Sequence, residues 1–401
     1  MADAADLKSV GSNTVRVRPP PRPQIIRVDL RFLVSGNPRH FHRNTPTLLK
    51  LNLYSKNYNF LYNCVSIMKK VITGINGFGR FGQHLLKYWL ERDDAQFIIS
   101  FINDDFLSVK TAVNLLESDP DLDFRKFGVK FEGQTISLTG KSGRTHHIQY
   151  TNSKYENIDW MRKAEIFLEC SGKNTNAEKC KLFLQGNTQL VVISATSENP
   201  GATLIFGYNH NNFDKKNHRI VSYGSCTVNA YVPLAAYLYD MYGVSDSDVN
   251  VIHGIPKYKF PELNTLTRKL CTLELSGKRL LTFLNDENFA VNYTLVPHTG
   301  VSIIDYRFRL NKKTSKADFI GNLEKAINGG VLVGLYGLEE MDGGPDKHKF
   351  TTNSAVIIKS SIKMLGNNVY FQAYFDNENS VNRYFDLVSF VVERMKNKDE
   401  E

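Results

Sequence analysis

Residues 71–90 read VITGINGFGRFGQHLLKYWL, and the architecture follows from how this stretch is parsed. Val71, Ile72, Gly74 and Ile75 make a short apolar run of the kind a buried parallel strand requires. The run enters Gly77-Phe78-Gly79-Arg80-Phe81-Gly82, a full G-x-G-x-x-G, and then Leu85, Leu86, Trp89 and Leu90 recur at helical spacing. A second apolar run, Phe97 to Ile102, closes on Asn103-Asp104-Asp105. Glycines permit the tight strand-to-helix turn and let a pyrophosphate approach the backbone, where the helix N-terminus offers unpaired N–H groups. Asp104 stands where an acid can bind the adenosine ribose hydroxyls, and its charge repels a 2′-phosphate, which favours NAD over NADP. A glycine triplet alone is weak evidence. Strand, glycines, helix, second strand and acid in this order are the context the motif needs, against the alternative of a glycine-rich turn in another α/β protein.

Downstream the pattern alternates. Val109 to Leu116 reads as helix, Val129–Phe131 and Thr135–Leu138 as strands around Glu132-Gly133, and Ala177–Leu184 as helix. Ile166–Leu168, Leu190–Ile193 and Leu204–Phe206 are short apolar runs expected to be strands of a mostly parallel, doubly wound sheet. The turns at Cys170-Ser171-Gly172 and Ser194-Ala195-Thr196 then fall at strand carboxyl ends, where cofactors bind, although ordinary polar loops would look the same.

The chain has a formal net charge of +9, but the charge is unevenly placed. Residues 1–67 hold ten Lys and Arg against three Asp and Glu, so the remainder is close to neutral and a general nucleic-acid role loses its support. Arg16 to Pro23, RVRPPPRP, favours extended conformations, and residues 24–67 show no sustained period. DLKSVGSNTVRVRPPPRP reads more like a frame through a transfer-RNA gene than a domain. The expectation is a disordered or non-native extension at 1–67 with the native start at Met68. A targeting extension is the alternative, though Pro19–Pro21 would break a transit-peptide helix. There is no apolar run of membrane-spanning length. The five cysteines, Cys64, Cys170, Cys180, Cys226 and Cys271, show neither zinc spacing nor a disulfide framework, which implies no metal and a reducing, cytoplasmic setting.

Ile220-Val221-Ser222-Tyr223 leads into Gly224-Ser225-Cys226-Thr227-Val228-Asn229, followed by an apolar helical stretch to Tyr242. A cysteine where a strand gives way to a helix N-terminus is placed for thiolate chemistry. Val249–Ile252 reads as a strand ending at His253, a candidate base. Alone, the two are better explained as a small buried hydrophobe and an ordinary hydrogen-bonded histidine.

In order along the chain, GINGFGRFG, the IND of Ile102–Asp104, the SCTxN of Ser225–Asn229, VIHG at Val251–Gly254, VPHTGVSIIDYRFRL at Val296–Leu310 and FDNE at Phe375–Glu378 resemble the glyceraldehyde-3-phosphate dehydrogenases from Met68 to Met395. The resemblance implies a Rossmann domain at 68–225, an α+β catalytic domain with a mainly antiparallel sheet at 226–379, and a C-terminal helix, 380–396, packed back on the first. It implies Cys226 as nucleophile and His253 as its base. Gly77, Gly79, Arg80, Phe81, Asp104, Ser194 and Asn377 would bind NAD, and Ser225 and Thr227 the substrate. The implied reaction is aldehyde oxidation through a thioester released by phosphate. The alternatives are a non-phosphorylating dehydrogenase of another aldehyde and an NAD-binding paralogue without catalysis. A homo-oligomer is implied, its tetrameric form in question.

Departures concern the substrate. Where the family carries a phosphate-gripping arginine this chain has Leu295, and the phosphate-binding threonine after the histidine corresponds to Pro256. The segment from His253 to Leu295 is short and shows no S-T-G-A-A-K-like stretch, and NEWGYS is reduced to Asn377-Glu378-Asn379-Ser380. Lys257, Lys259, Arg268, Lys269, Lys278, Arg279 and His298 are the candidates for restoring positive charge, against the plain reading of a solvated face.

Overall fold

The computed structural model describes residues 70–396 apart from 93–94, 121, 123, 256, 299 and 379. The expectations for residues 1–67, Pro256 and Asn379 therefore lie outside the described residues. The opening stretch forms β1 (Val71–Asn76) and α1 (Arg80–Glu91) around the glycine turn. It belongs to a nine-stranded sheet with β2 (Phe97–Asn103), β3 (Lys130–Glu132), β4 (Thr135–Thr139), β5 (Thr145–Thr151), β6 (Ile166–Glu169), β7 (Leu190–Ile193), β8 (Ala202–Thr203) and β9 (Ile220–Ser222). Their order is β3-β4-β5-β2-β1-β6-β7-β9-β8, parallel from β5 to β8 and antiparallel only at the β3-β4-β5 edge. Helices α2 (Val109–Ser118) and α3 (Ala177–Cys180) connect these strands.

Two local expectations change. Leu204–Phe206 is not a strand: the Asn209 side chain accepts from Ile205 N–H at 2.7 Å and donates to the Thr203 carbonyl at 2.9 Å, which turns the chain directly after β8. The helix expected over Ala177–Leu184 is α-helical only to Cys180 and tightens into a 3₁₀ turn at Lys181–Phe183. β5 had no recognisable signal, because THHIQYT alternates too weakly to declare a buried face.

The second sheet has eight strands: β10 (Val244–Gly254), β11 (Thr267–Arg268), β12 (Phe289–Val296), β13 (Val301–Leu310), β14 (Tyr336–Glu339), β15 (Ala355–Ile358), β16 (Lys363–Leu365) and β17 (Asn368–Asp376). It is mainly antiparallel, with parallel pairs only at β10/β12 and β14/β15. Helices α4 (Cys226–Tyr242), α5 (Thr272–Leu280) and α6 (Lys316–Gly329) belong to this half. Helix α4 tolerates Pro233 in its interior through a specific repair. The missing N–H leaves the Asn229 carbonyl without its helical donor, and the Tyr336 hydroxyl lies 3.2 Å from that oxygen and 2.9 Å from the Ala230 carbonyl. The last helix, α7 (Ser380–Lys396), returns to the first sheet, where the Tyr384 hydroxyl donates to the Val192 carbonyl at 2.7 Å and Arg92 pairs with Asp386 at 2.9 Å. The fold is α/β: a doubly wound, largely parallel sheet joined to an α+β half.

Candidate active site and cofactor cleft

The glycine turn explains itself sterically. Gly77 has φ +93°, and a Cβ there would run into the backbone of Ser171. A Cβ on Gly82 would strike the Gly77 carbonyl, so helix and strand pack at backbone contact. Gly79 is different: a Cβ would meet nothing within 4 Å, and as N-cap of α1 it supplies no capping side chain, nor is there an acid in the first turn. The first N–H groups of α1 therefore lack a side-chain cap, the arrangement that receives a pyrophosphate. Asp104, 8% exposed, holds the turn from the next strand: Oδ2 accepts from Phe78 N–H at 2.7 Å, and Oδ1 accepts from Phe106 and Leu107 N–H at 2.9 and 2.7 Å. This leaves one lone pair, on Oδ2, for a ribose hydroxyl. The residues present fit a dinucleotide.

Arg80 pairs with Asp119 at 2.7 Å and Glu378 at 3.3 Å, linking this turn to the end of β17. Burial and the neighbouring Asp376 push Glu378 up to about 8, with Arg80 pulling the other way. The Phe81 ring turns inward onto Tyr223 and Tyr384, at centroid distances of 5.7 and 5.2 Å, so its contact is with the core. Ser194 follows β7, its N–H on the Glu169 carbonyl at 2.9 Å. Glu169, a buried carboxyl raised by desolvation, is held by Asn76 at 2.7 Å and Asn174 at 3.3 Å, and ties the loop after β6 to β1.

SCTxN builds an elbow. Ser225 is N-cap of α4 and accepts from Val228 N–H at 3.4 Å; Cys226 is the first helical residue. Asn229 donates to the Tyr223 and Ser225 carbonyls at 3.1 and 2.9 Å and so fixes the turn before the cysteine. The N–H groups of Thr227 and of Cys226 itself favour the thiolate, while burial and the nearby Cys271 push the thiol up to about 12. His253, on β10, brings Nε2 to 3.5 Å from Cys226 Sγ. Its Nδ1 lies 2.7 Å from the Gly254 carbonyl, an acceptor, which assigns the proton to Nδ1 and leaves the Nε2 lone pair facing the sulfur. Burial lowers His253 to about 4, so thiol and imidazole meet as a neutral pair.

Asn377 and Ser302 hold that tautomer. Asn377 donates to the same Gly254 carbonyl at 2.9 Å and accepts from the Ser302 hydroxyl at 2.7 Å; Ser302 in turn accepts from Gly254 N–H at 3.0 Å. Asn377, expected beside a nicotinamide, is thus also part of the histidine's support, with one amide hydrogen left to donate.

Beside the thiol, three hydroxyls gather. Ser225 Oγ and Thr227 Oγ1 are 3.1 Å apart, and Thr272 Oγ1 lies 3.4 Å from Ser225 Oγ. Thr272 opens α5, so two helix N-termini converge there. Sequence inspection found no motif in the shortened segment; the structure delivers a hydroxyl from it, together with Cys271, whose Sγ is 3.7 Å from Thr227 Oγ1. Tyr293, equally unannounced, places its ring 5.5 Å from His253. Of the segment's cations, Arg268 turns to Asn292 at 3.5 Å, Lys278 to Asp286, and Arg279 to the Glu198 carbonyl at 3.1 Å.

A glycine turn fit for a dinucleotide at the end of a parallel strand, with a cysteine at a helix start paired to a histidine on the second sheet, defines an NAD-binding protein. Residues 71–177 match the family described as glyceraldehyde 3-phosphate dehydrogenase, NAD binding domain. The chain is 29% identical over 342 residues to glyceraldehyde-3-phosphate dehydrogenase 2 of Caenorhabditis briggsae, covering 81% of this chain and 99% of the relative. It is 28% identical over 350 residues to glyceraldehyde-3-phosphate dehydrogenase 1 of Caenorhabditis elegans, covering 82% and 100%. Against glyceraldehyde-3-phosphate dehydrogenase 2 of the cyanobacterium Trichormus variabilis the figures are 24% over 336 residues, 80% and 98%. Over about four fifths of its length the chain is thus similar to glyceraldehyde-3-phosphate dehydrogenases, with the match to their NAD-binding domain at 71–177, and its cofactor is NAD. No helix among the described residues is long and apolar enough to cross a membrane, and none of their His, Cys, Asp and Glu clusters could hold a metal.

Proposed function

We propose that this protein is an NAD-dependent, phosphorylating aldehyde dehydrogenase acting through a thioester on Cys226. The observation that carries the reading is the Cys226 Sγ–His253 Nε2 approach of 3.5 Å, with the histidine proton held on Nδ1. His253 takes the thiol proton as sulfur attacks the aldehyde carbon, and returns it to the oxygen to give a hemithioacetal. It takes the hydroxyl proton again as the carbonyl re-forms. Bound NAD⁺ supplies the hydride acceptor for that oxidation, which leaves a thioester. The first N–H groups of α4, which already point at the sulfur, steady the developing oxyanion. Orthophosphate then attacks the thioester carbonyl, the sulfur leaves, and an acyl phosphate is released. Ser225, Thr227 and Thr272, at two converging helix N-termini, are suited to orient that anion.

In this reading Gly77, Gly79, Arg80, Phe81 N–H and Asp104 hold the dinucleotide, and Ser194 and Asn377 flank the nicotinamide. Residues 68–225 form the cofactor domain and 226–379 the catalytic one. A reducing, cytoplasmic setting accords with the unpaired thiols of Cys170, Cys180, Cys226 and Cys271. NADH formation by the purified chain, followed with and without orthophosphate, tests the reading. Sustained turnover is expected only with phosphate; equal turnover without it would point to hydrolysis of the thioester.

A further inference from the structure

We infer that the first sheet carries a second ligand site, a cationic cavity at the amino ends of β7 and β9 that takes an organic phosphomonoester. The site does not depend on the dehydrogenase chemistry proposed above. Its volume is about 210 Å³, and its wall comes from Gln189 and Leu190 at the start of β7, the 213–219 segment leading into β9, and Met395 in the last turn of α7. β1, β6, β7 and β9 run parallel. The amino ends therefore lie at the opposite edge of the sheet from the Gly77 turn and from the Cys226 elbow, a strand length away.

Lys215 to Arg219 read KKNHR, in a part of the chain whose charges otherwise nearly cancel. The acid of this loop is spent on the loop itself: Asp214 Oδ1 accepts from Lys216 N–H at 2.8 Å, and Oδ2 from the Asn217 amide at 2.6 Å. No Asp or Glu lines the cavity. Asp214 N–H donates to His218 Nδ1 at 3.0 Å, and His218 N–H donates to the Asp214 carbonyl at 2.8 Å, which closes the loop. An accepting Nδ1 leaves the His218 proton on Nε2, as a donor. Arg219 Nε donates to the Gln189 carbonyl, which anchors the guanidinium at the start of β7. Both Arg219 Nη groups and Lys216 Nζ have no hydrogen-bond or ion-pair partner among the described residues.

A guanidinium fork, an ammonium and an imidazole N–H match the three terminal oxygens and near-double charge of a phosphomonoester. A carboxylate, with two oxygens and one charge, would leave one cation unmatched. Buried Leu190 and Phe213 and half-buried Met395 add apolar wall, with the Phe213 ring 6.2 Å from that of His218. Orthophosphate would leave that wall uncovered, whereas a ring carried by the phosphate gains contact with it. The volume is below the ~300–1,000 Å³ of larger ligand sites, which suits a phosphoryl group with one ring and excludes a dinucleotide.

Equilibrium dialysis of phenyl phosphate tests the inference on the full chain saturated with NAD⁺, which fills the cofactor turn. One phenyl phosphate is expected per chain, with orthophosphate at least about fivefold weaker and phenol unbound. Lys216→Gln and Arg219→Gln should each weaken binding at least about tenfold, with NAD affinity unchanged. Lys216→Gln removes no hydrogen bond of the protein, so its loss of binding is not a folding effect; circular dichroism checks Arg219→Gln, which gives up its anchor. Thr272→Ala, beside Cys226, should bind phenyl phosphate as the parent does, which separates this cavity from the hydroxyl cluster. Absence of binding, binding unchanged in Lys216→Gln, binding lost in Thr272→Ala, or orthophosphate held as tightly as phenyl phosphate overturns the inference. A single-stranded oligonucleotide that binds more tightly through the same residues overturns it too. Each of these results leaves the Cys226 chemistry standing.

Discussion

The cofactor turn and the strand beside His253, on different sheets, are under different kinds of constraint. Around Gly77 and Gly82 the constraint is backbone contact, where one extra carbon collides with Ser171 or with the Gly77 carbonyl. Such a requirement fixes residue identity and spacing within a few consecutive positions. Around β12 the constraint is which side chains face His253 across a sheet, with Leu295 opposite it and Tyr293 two residues away. The first kind of requirement acts on the backbone and admits only glycine; the second acts through side chains on a shared sheet face.

Five substitutions break or sharpen this contrast, from the largest expected effect to the smallest. Cys226→Ser should lower aldehyde oxidation by about 10⁴-fold or more, with NAD affinity, measured by fluorescence quenching, unchanged. His253→Asn should cost about 10²- to 10⁴-fold in kcat/KM and leave the residual rate rising with pH as the thiol ionises unaided. In the wild type the base, lowered to about 4, stays competent down to that pH. Gly77→Ala forces a positive φ on an L-residue, a cost of about 1–3 kcal/mol before any clash. NAD affinity and Tm should fall together, whereas a loss confined to the aldehyde step would contradict the division between the regions. Ser302→Ala leaves Gly254 N–H and Asn377 Oδ1 without their Ser302 partner, a penalty of about 1–3 kcal/mol. Because it acts through the His253 tautomer, kcat should fall about tenfold with little change in NAD binding.

The smallest effect is on stability against pH. His84 is buried, both ring nitrogens lack a partner in the protein, and desolvation with the nearby Arg80 and Lys87 lowers it to about 3. The unfolded chain binds this proton first, at about the ordinary histidine value of 6.5. The contribution is therefore complete above pH 6.5 and drains away as pH falls toward 3. His84→Leu should raise Tm at pH 5 and flatten the acid limb of a Tm–pH series, leaving the parts due to His253, His210, His348 and Asp214.

How much could be read in the sequence follows the same divide. The glycines, Asp104 and the SCTxN elbow were legible because each does its work within a few residues of chain: Ser225 caps the helix whose first residue is Cys226, and Asn229 ties the carbonyls just before it. His253 was legible as a strand end. Thr272, Cys271, Tyr293 and Ser302 were not, since they reach the site through strand register and helix packing across gaps of tens of residues. The packing of the Phe81 ring was hidden for a similar reason. Its neighbours in sequence belong to the cofactor turn, while its ring neighbours, Tyr223 and Tyr384, come from elsewhere in the chain.

The most direct test of the central claim is a single-turnover experiment without phosphate: enzyme, NAD⁺ and an aldehyde are mixed, NADH is read by absorbance, and the quenched protein is weighed by intact and peptide mass spectrometry. The account predicts a burst of one NADH per active site and one acyl group on the Cys226 peptide, discharged as acyl phosphate when orthophosphate is added. NADH formation with Cys226 unmodified, or an undiminished burst from the Cys226→Ser variant, would contradict it.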